Sequence, residues 1–377
     1  MNFAFNEEQK SLGETLGQLL SDFPQLTAPD PAEGRPTDLW SALSELGLFS
    51  LLVPEEDGGV GLSFVDVALA IEALGSGLAP SIVASTLVAT DIIALYGNEN
   101  QKARWLPRIT EGEMKIAIAS LEAGQGYDPE DVQTVIGGNG ITGRKILVGD
   151  ADRADAFLVL ARCDGSPCLA MIARDARGVA LRQHEDIDPS SGFFELILDA
   201  ASVADDALIS HKAPEAAIAR LIDVAATVYA GMQIGIAARM LDTTVEYVKT
   251  RVQFSQPIGA FQALKHRCAD MAVAIEAGRS AAYYAFWAVA EDAQDRSRAA
   301  SMAKAYCGET ARDVCNQAIQ LHGGMGFTWE LGLHRFLRRA KVLEHGFGNH
   351  VWHYERVMAT SLAAQMALHE PQPALVN

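Results

Sequence analysis

The spacing of hydrophobic and polar positions changes twice along the chain and divides it into three regions. Residues 1 to 112 carry apolar side chains at helical spacing, as in PTDLWSALSELGLFSLLV, and DVALAIEALGSGLAP ends in the Gly and Pro that commonly follow a helix. Residues 113 to 211 break into short apolar runs separated by Gly, Asp, Asn and Pro, which predicts an antiparallel sheet or a small barrel. Residues 212 to 377 return to long, Ala-rich helical segments.

The order of these regions predicts an uncommon architecture. Most α/β enzymes alternate strands with helices, whereas this chain places helices first, strands second and long helices last. We predict a mainly α protein with an N-terminal helical domain (1–112), a middle β-domain with an antiparallel sheet or small barrel (113–211) and a C-terminal helical bundle (212–377). In the middle domain, GGNG at 137–140 predicts a hairpin turn.

Composition and charge narrow the function classes. The 377 residues are 49% hydrophobic and 21% charged, as in ordinary globular proteins, and the formal net charge of −18 argues against nucleic-acid or polybasic membrane binding. Apolar runs are interrupted before the ~18 residues of a membrane span, and the first residues lack the basic start of a signal peptide. The 5 cysteines form no CxxC pair, which argues against disulfides and a zinc site. We expect a cytoplasmic protein without a metal.

Two segments carry residues suited to phosphate and aromatic groups. RVQFSQPIGAFQ offers Arg251 near a helix end, where a guanidinium can bind pyrophosphate, and Phe254, which can cover an aromatic ring. QLHGGMGF crowds three glycines into positions 323–326. These residues alone leave two interpretations open: a surface Arg, a core Phe and a helix C-cap, or a place where a ligand approaches the backbone closely.

Four segments together resemble the acyl-CoA dehydrogenases. They are RVQFSQPIGAFQALKHRCADM, QLHGGMGFTWELGLHRFLRRAK, LWSALSELGLFSLLVPEEDGGVGLS and YGNENQKARWLPRITEGE, and their order and spacing agree over nearly the whole chain. The resemblance implies the family's three-domain fold, with a β-barrel or sandwich domain between the N-terminal helical domain and a C-terminal four-helix bundle. It also implies a flavoprotein oxidoreductase with FAD. It also implies α,β-dehydrogenation of an acyl-CoA thioester, in which a carboxylate removes the α-proton and hydride leaves the β-carbon for the flavin. An electron-accepting flavoprotein or its equivalent is then a further partner.

The resemblance assigns a set of residues to the ADP half of FAD. In the family, this half belongs to the neighbouring subunit's cofactor, bound across a dimer interface, and phosphate oxygens need N–H donors that a Cβ would obstruct. The matching residues here are Arg251, Phe254, Phe261, Gln262, Gln320, Gly323 and Gly324.

The positions of the family's catalytic base hold no carboxylate. The usual Glu is replaced by Phe347, and the alternative position near the start of the long bundle helix holds Ala225. Glu344 and His345 lie close by in the sequence, and Asp223 lies two residues before Ala225. Helical geometry is expected to turn these three side chains away from the site.

The contacts expected for the flavin ring are reduced as well. The family's Thr-Glu-Pro-x-Ala-Gly-Ser-Asp loop has the counterpart SLEAGQGYD, in which Ser120 stands at the Thr position and the Pro is lost. In the family's Lys-x-Trp-Ile-Thr-Asn segment, Leu147 replaces Trp and Gly149 replaces Thr. Asn349, two residues after the base position, is the remaining candidate on this side.

Together these features predict one subunit of a heteromeric acyl-CoA dehydrogenase, such as a heterotetramer of lipid or steroid catabolism. A homologous subunit would supply the base and the ring contacts, as in pairs that act on bulky steroid-CoA esters. Two alternatives stay open: a self-sufficient homo-oligomer with a relocated base (Asp223, Glu344 or a residue of the β-domain), and a non-catalytic scaffold subunit. The basic run of His334, Arg335, Arg338 and Arg339 is expected to face water or a partner subunit.

Overall fold

A computed structural model describes residues 5–28, 36–185, 187–209 and 213–369, with side chains up to residue 362. The N-terminal helices are α1 (Glu7–Ser21), α2 (Leu39–Glu45), α3 (Ala68–Ser76), α4 (Ser81–Tyr96) and α5 (Glu99–Thr110). The strands of the β-region are β1 (Ile116–Ala119), β2 (Val135–Gly137), β3 (Gly140–Gly149), β4 (Ala156–Cys163), β5 (Ser166–Ala173), β6 (Val179–Gln183), β7 (Phe193–Ala201) and β8 (Leu208–Ile209). The C-terminal part comprises α6 (Pro214–Thr250), the hairpin strands β9 (Val252–Gln253) and β10 (Gln256–Pro257), and helices α7 (Gln262–Ala290), α8 (Arg296–His322), α9 (Leu333–His345) and α10 (His350–His369).

This element order confirms the predicted fold class. The first predicted domain boundary, at 112/113, lies between α5 and β1, and the second, at 211/212, lies outside the described residues. The exact division of the chain stays a prediction.

The β-region forms one mixed sheet rather than a purely antiparallel one. Its hydrogen-bonded order is β6-β7-β3-β2-β4-β5-β8, and β1 also pairs with β4. Strands β1 and β2 both run parallel to β4, because long connections bring the chain back in the same direction. The predicted GGNG hairpin is confirmed, since Gly137 pairs with Gly140 in the antiparallel β2–β3 ladder.

Helix α6 is the central element of the C-terminal part. Its 37 residues span about 55 Å at 1.5 Å per residue. A Cβ on Gly75 of α3 would lie 2.0 Å from the Met232 carbonyl oxygen, and one on Gly235 would lie 1.9 Å from the Glu72 carbonyl oxygen, so α3 and α6 cross in direct backbone contact. By length and composition α6 could cross a membrane, but 83% of its most apolar window is buried, as in a core helix.

The prediction that the basic run of α9 faces water or a partner subunit is wrong for two of its arginines, which are buried within this chain. Arg335 and Arg339 are each only 2% exposed. Arg335 donates to the backbone oxygen of Gln25 at 3.2 Å, and Arg339 pairs with Asp188 at 2.7 Å. These acceptors come from segments distant in sequence, which α9 contacts only in the folded protein. The two arginines therefore fix α9 against the N-terminal segment and the β-region.

Candidate functional site

A cavity of about 400 Å³ lies between the β-region and helices α6, α9 and α10. Ser120, Leu147 and Gly149 line its sheet side, and Leu221 and Tyr229 line its helical side. Most of its wall is apolar, and its volume falls within the range of about 300–1,000 Å³ that is typical of small-molecule sites. The cavity thus brings together three of the positions predicted to lie at the flavin ring, whereas the predicted Asn349 does not line it.

The loop that follows α9 places Phe347 in this cavity. Phe347 has a left-handed φ of +56°, and its ring packs edge-on against Tyr229 with centroids 5.1 Å apart. Two buried side chains contact backbone oxygens of the last turn of α9 and of this loop. Lys304 Nζ donates to the oxygens of Glu344 at 2.9 Å and Gly348 at 3.0 Å, and His353 Nε2 lies 3.0 Å from the oxygen of Phe347. Lys304 and His353 are buried, so the loop has a defined conformation with a Phe at the usual base position.

The ring of His353 gives the loop a pH-dependent support. Burial lowers the pKa of His353 to about 2, and the charges of Lys304 and Arg356 act in the same direction. The folded protein therefore keeps this ring neutral across the acid range, whereas the unfolded chain protonates it below about pH 6.5.

We expect His353→Gln to weaken the acid sensitivity of the protein. Because the unfolded state binds the extra proton, this histidine lowers the free energy of unfolding as pH falls below 6.5, by roughly 2 kcal/mol between pH 7 and pH 5. Urea unfolding at both pH values should show a smaller difference in the variant, whose amide can still donate to the oxygen of Phe347. An identical pH difference in both proteins would contradict this account.

The two helical carboxylates considered as relocated bases, Asp223 and Glu344, form ion pairs with arginines. Asp223 is fully buried and contacts Arg296 Nε at 2.8 Å and Arg356 Nη2 at 2.7 Å. Glu344 is 3% exposed and is paired with Arg312. Neither carboxylate lines the cavity. Ala225, at the alternative base position, is buried outside the cavity wall.

Three carboxylates of the β-region do line the cavity. Glu122 accepts from Lys145 Nζ at 2.6 Å and from Thr134 Oγ1 at 2.6 Å. Burial alone would raise the pKa of Glu122, but these donors hold it below its ordinary value, so the group stays ionised as a structural anchor. Asp128 accepts from the backbone N–H of Glu130 at 3.0 Å, and Asp131 lies at the exposed edge of the cavity.

The expectation that His345 turns away from the site is wrong. His345 lines the cavity, together with Lys341 one helical turn earlier. Helix α9 ends at His345, so the last turn and the following loop face the same space. Burial lowers the pKa of His345, and the nearby Lys304 and Lys341 act in the same direction against Glu344.

The residues predicted to hold an ADP group lie on an exposed surface at the ends of α6 and α8. Arg251 is the C-cap of α6, and the hairpin after it exposes 86% of Phe254, whose φ is +52°. Phe261 packs edge-on against Phe254 at 6.1 Å, and Gln262 begins α7. A large aromatic side chain held in a strained, exposed position is typical of a contact surface.

The second segment of this surface is joined to the first by an aromatic stack. Tyr247, one turn before Arg251, stacks on His322 with ring centroids 4.2 Å apart. His322 ends α8, and the exposed Gln320 and Gly323 belong to the same turn. The fold therefore brings the Arg-x-x-Phe and Gln-x-x-Gly-Gly segments together. We call this surface the cradle, comprising residues 251–262 and 320–324.

Two of the three glycines in QLHGGMGF are required by the fold of the chain itself. Gly323 has φ +58° and ψ −136°, a conformation that favours glycine, and a Cβ on Gly326 would lie 2.3 Å from the backbone oxygen of Ile319. Gly324 differs, because its φ is not left-handed and nothing lies within 4 Å of a Cβ built on it. Its missing side chain leaves room on the outside of the molecule, as a ligand held by backbone N–H groups would need. The cradle thus fits the ADP half of FAD.

The residues on the flavin-ring side of the site fit FAD less well than the cradle fits its ADP half. Asn349 Oδ1 accepts from the backbone N–H of Trp352 at 2.9 Å and so serves as the cap of α10. Trp352 lies across from Tyr127, with centroids 6.0 Å apart, and both rings line the cavity. Counting back from Asp128, Tyr127 stands where the family's loop has Ser. An aromatic pair therefore lies between the β-region loop and α10.

Comparisons with known proteins agree with the fold and with these segments. The family description "Acyl-CoA dehydrogenase, N-terminal domain" matches residues 6–113, and "Acyl-CoA dehydrogenase, C-terminal domain" matches residues 215–362. A Mycobacterium tuberculosis protein named acyl-CoA dehydrogenase IpdE2 is 32% identical over 341 residues, covering 89% of this chain and 91% of the relative.

Two solved structures are similar over almost their full length. A structure described as the Tcur3481-Tcur3483 steroid ACAD G363A variant is 28% identical with a TM-score of 0.85, covering 96% of this chain and 99% of the other. The ChsE4-ChsE5 complex from Mycobacterium tuberculosis is 25% identical with a TM-score of 0.82, covering 99% and 100%. The predicted family and the predicted class of enzyme are thereby confirmed. FAD as the family's cofactor is confirmed by a solved acyl-CoA dehydrogenase complexed with FAD from Bacillus anthracis, 24% identical with a TM-score of 0.87, covering 96% of this chain and 68% of the other. The chain belongs to the acyl-CoA dehydrogenase family of oxidoreductases.

Proposed function

We propose that this chain is one subunit of a heteromeric, FAD-dependent acyl-CoA dehydrogenase. It supplies the ADP-side contacts of the FAD, and a homologous partner supplies the catalytic base and the flavin-ring contacts. The reaction is α,β-dehydrogenation of an acyl-CoA thioester, with an electron-accepting flavoprotein as the further partner. FAD, when bound, accepts the hydride from the β-carbon.

The contrast between the cradle and the cavity supports this assignment of roles to the two subunits. The cradle keeps the residues that match the family's ADP-side segments, and it presents Phe254 and Gly324 outwards. The cavity, by contrast, carries Phe347 at the usual base position, and the nearby Asp223 and Glu344 are held in ion pairs. A general base must lie within hydrogen-bond reach of the proton it takes, and these two carboxylates do not line the cavity.

The relatives support a partner of the same family. One solved neighbour is a complex of two differently named chains, ChsE4 and ChsE5, and another carries a paired name and the description steroid ACAD. The likeness of this chain to these proteins over nearly its full length supports a similar pairing. Bulky CoA esters, such as those with a steroid ring system, are therefore the proposed substrate class.

The role of the cradle is tested by Arg251→Ala in the complex assembled with a co-expressed homologous subunit. Arg251 makes no side-chain hydrogen bond or ion pair with a described residue, so the variant should fold normally. We expect FAD to bind at least about tenfold more weakly, because a charge-assisted contact to pyrophosphate is lost. Lys249→Ala is the matched control, because it removes a cation two residues before Arg251 that is paired with the exposed Glu246. Unchanged flavin content in the Arg251 variant would refute this role.

A self-sufficient enzyme remains the second candidate because Asp131 and His345 line the cavity. In that case the purified chain alone would oxidise an acyl-CoA, and Asp131→Asn or His345→Gln would abolish turnover. Glu344→Gln and Asp223→Asn serve as controls for carboxylates outside the cavity. Absence of turnover by the chain alone excludes this candidate.

A further inference from the structure

Two aromatic side chains close the gap between the β-region loop and the start of α10. The ring centroids of Tyr127 and Trp352 lie 6.0 Å apart with an interplanar angle of 52°, and both rings line the cavity. A flat ring placed between two others needs roughly 7 Å, twice the carbon–carbon contact distance of about 3.5 Å. The pair therefore leaves no space for a third ring between its members. We call Tyr127 and Trp352 the aromatic barrier.

The indole of Trp352 covers the backbone that follows the usual base position. A Cβ built on Gly348 would lie 2.5 Å from Cε3 of Trp352, so the indole lies directly on this backbone. Asn349 Oδ1 accepts from the backbone N–H of Trp352 at 2.9 Å, and Asn349 does not line the cavity. Towards the cavity, the segment after Phe347 thus carries an indole in place of the polar contact predicted at Asn349.

Contacts from three helices fix the indole in this position. The Arg356 guanidinium, one turn later on α10, lies 5.6 Å from the centroid of the Trp352 ring, a cation–π arrangement. Arg356 is itself paired with the buried Asp223 of α6 at 2.7 Å and donates to Ser301 Oγ of α8 at 3.1 Å. The His353 ring packs edge-on against the indole at 4.9 Å. A flavin ring could enter only by displacing a side chain that these contacts hold.

The loop that carries Tyr127 is anchored to the sheet. Near its start, the Glu122 carboxylate accepts from Lys145 Nζ at 2.6 Å and from the backbone N–H of Gln133 at 2.7 Å. Tyr127 is half-buried, and burial raises the pKa of its hydroxyl, which therefore stays uncharged beside the indole. Both sides of the barrier are thus positioned by the fold.

The barrier lies where a flavin ring would have to enter. The resemblance places that ring between the sheet-side positions Ser120, Leu147 and Gly149 and the segment after Phe347. A ring in contact with both sides has to occupy the gap that the aromatic barrier closes. The chain's own cavity therefore does not fit the isoalloxazine half of FAD, although the cradle fits the ADP half.

We infer that the aromatic barrier excludes the isoalloxazine ring from this chain's own cavity. The inference rests on the proposed function for the place of the ring. It goes beyond that function by naming the two residues that determine which of two homologous sites takes the ring. This chain then contacts FAD only through the cradle, and a complex with a partner holds fewer FAD molecules than chains.

The test measures binding of lumiflavin, an isoalloxazine without the ribityl chain and the ADP half, to the full-length chain purified alone. Lumiflavin cannot be held by the cradle, so equilibrium dialysis with visible absorbance reports on the ring site alone. We expect the Tyr127→Ser/Trp352→Leu double variant to bind lumiflavin at least about tenfold more tightly than the unchanged chain. Tyr127→Ser alone removes a ring from a loop, leaves the helices intact and should also raise the affinity.

A second tyrosine–tryptophan pair provides the matched control. Tyr284 and Trp287 of α7 are half-buried, have ring centroids 5.7 Å apart and do not line the cavity. Tyr284→Ser/Trp287→Leu should bind lumiflavin as weakly as the unchanged chain. An equal gain in this control would overturn the inference, as would an unchanged affinity in Tyr127→Ser and in the barrier double variant.

Lumiflavin binding by the unchanged chain separates this inference from the proposed function. An unchanged chain that binds lumiflavin as tightly as the barrier double variant, yet stays inactive without a partner, would overturn the inference alone. An unchanged chain that binds lumiflavin and also oxidises an acyl-CoA by itself would refute the proposed function as well.

Discussion

Replacing Arg339 by Met lowers the free energy of unfolding by about 3–5 kcal/mol, the usual cost of removing one partner of a buried ion pair. Arg339 is 2% exposed and donates to Asp188 at 2.7 Å, to the backbone oxygen of Ala79 at 2.7 Å and to Ser190 Oγ at 3.1 Å. Burial raises the pKa of Asp188, but Arg339 and two serine hydroxyls outweigh it and hold the carboxylate ionised. Without Arg339, a buried negative charge loses its cation.

A double-mutant cycle separates this pair from the rest of the arginine's contacts. Denaturant unfolding of Arg339→Met, Asp188→Asn and the double variant should show that the double variant is less destabilised than the sum of the two single variants. Arg338→Met, which removes a guanidinium lying 5.5 Å from the Trp329 ring at the surface, should cost less than about 1 kcal/mol. A similar small effect for Arg339→Met would contradict the assignment of Arg339 as the link between α9 and the other regions.

Adding one methyl group at Gly324 should remove flavin from the assembled complex while leaving the chain folded. Nothing lies within 4 Å of the new Cβ, so Gly324→Ala should stabilise the isolated chain slightly, by about 0.4–1 kcal/mol. In the complex, the same methyl group would lie where the backbone N–H groups meet the ADP half of FAD. We expect FAD affinity to fall by about tenfold or more, which is measured by the visible absorbance retained after dialysis.

Gly137→Ala in β2 is the matched control, since nothing lies within 4 Å of its Cβ either and its φ is not left-handed. It should keep the flavin. If Gly324→Ala also keeps the flavin, the open space beside Gly324 does not serve a cofactor.

The fold could be predicted from sequence where the signal is local. Helical periodicity and turn residues repeat within one element, so the order of helices and strands and the hairpin at Gly137–Gly140 follow from the residues themselves. The parallel pairing of β1 and β2 with β4 was not predicted, because it depends on how distant segments return to the same sheet. The buried state of Arg339 was missed for the same reason: its acceptors Asp188 and Ala79 lie 151 and 260 residues away.

The candidate site was predicted in part. The motif segments that form the cradle are continuous stretches of sequence, and the structure joins them through Tyr247 and His322. The support of the Phe347 loop by Lys304 and His353 was not predicted, since a lysine on a long helix is ordinarily solvent-exposed. The position of His345 in the cavity was mispredicted, because the helical argument ignored that α9 ends at this residue.

We propose that half of each active site lies on another chain. This proposal is tested most directly by the FAD-to-protein ratio and the acyl-CoA oxidation rate of this chain, purified alone and after co-expression with a homologous subunit. We expect the chain alone to be colourless and inactive, and the complex to be yellow and active with fewer FAD molecules than chains. A yellow chain that oxidises an acyl-CoA without a partner, at one FAD per chain, would contradict it.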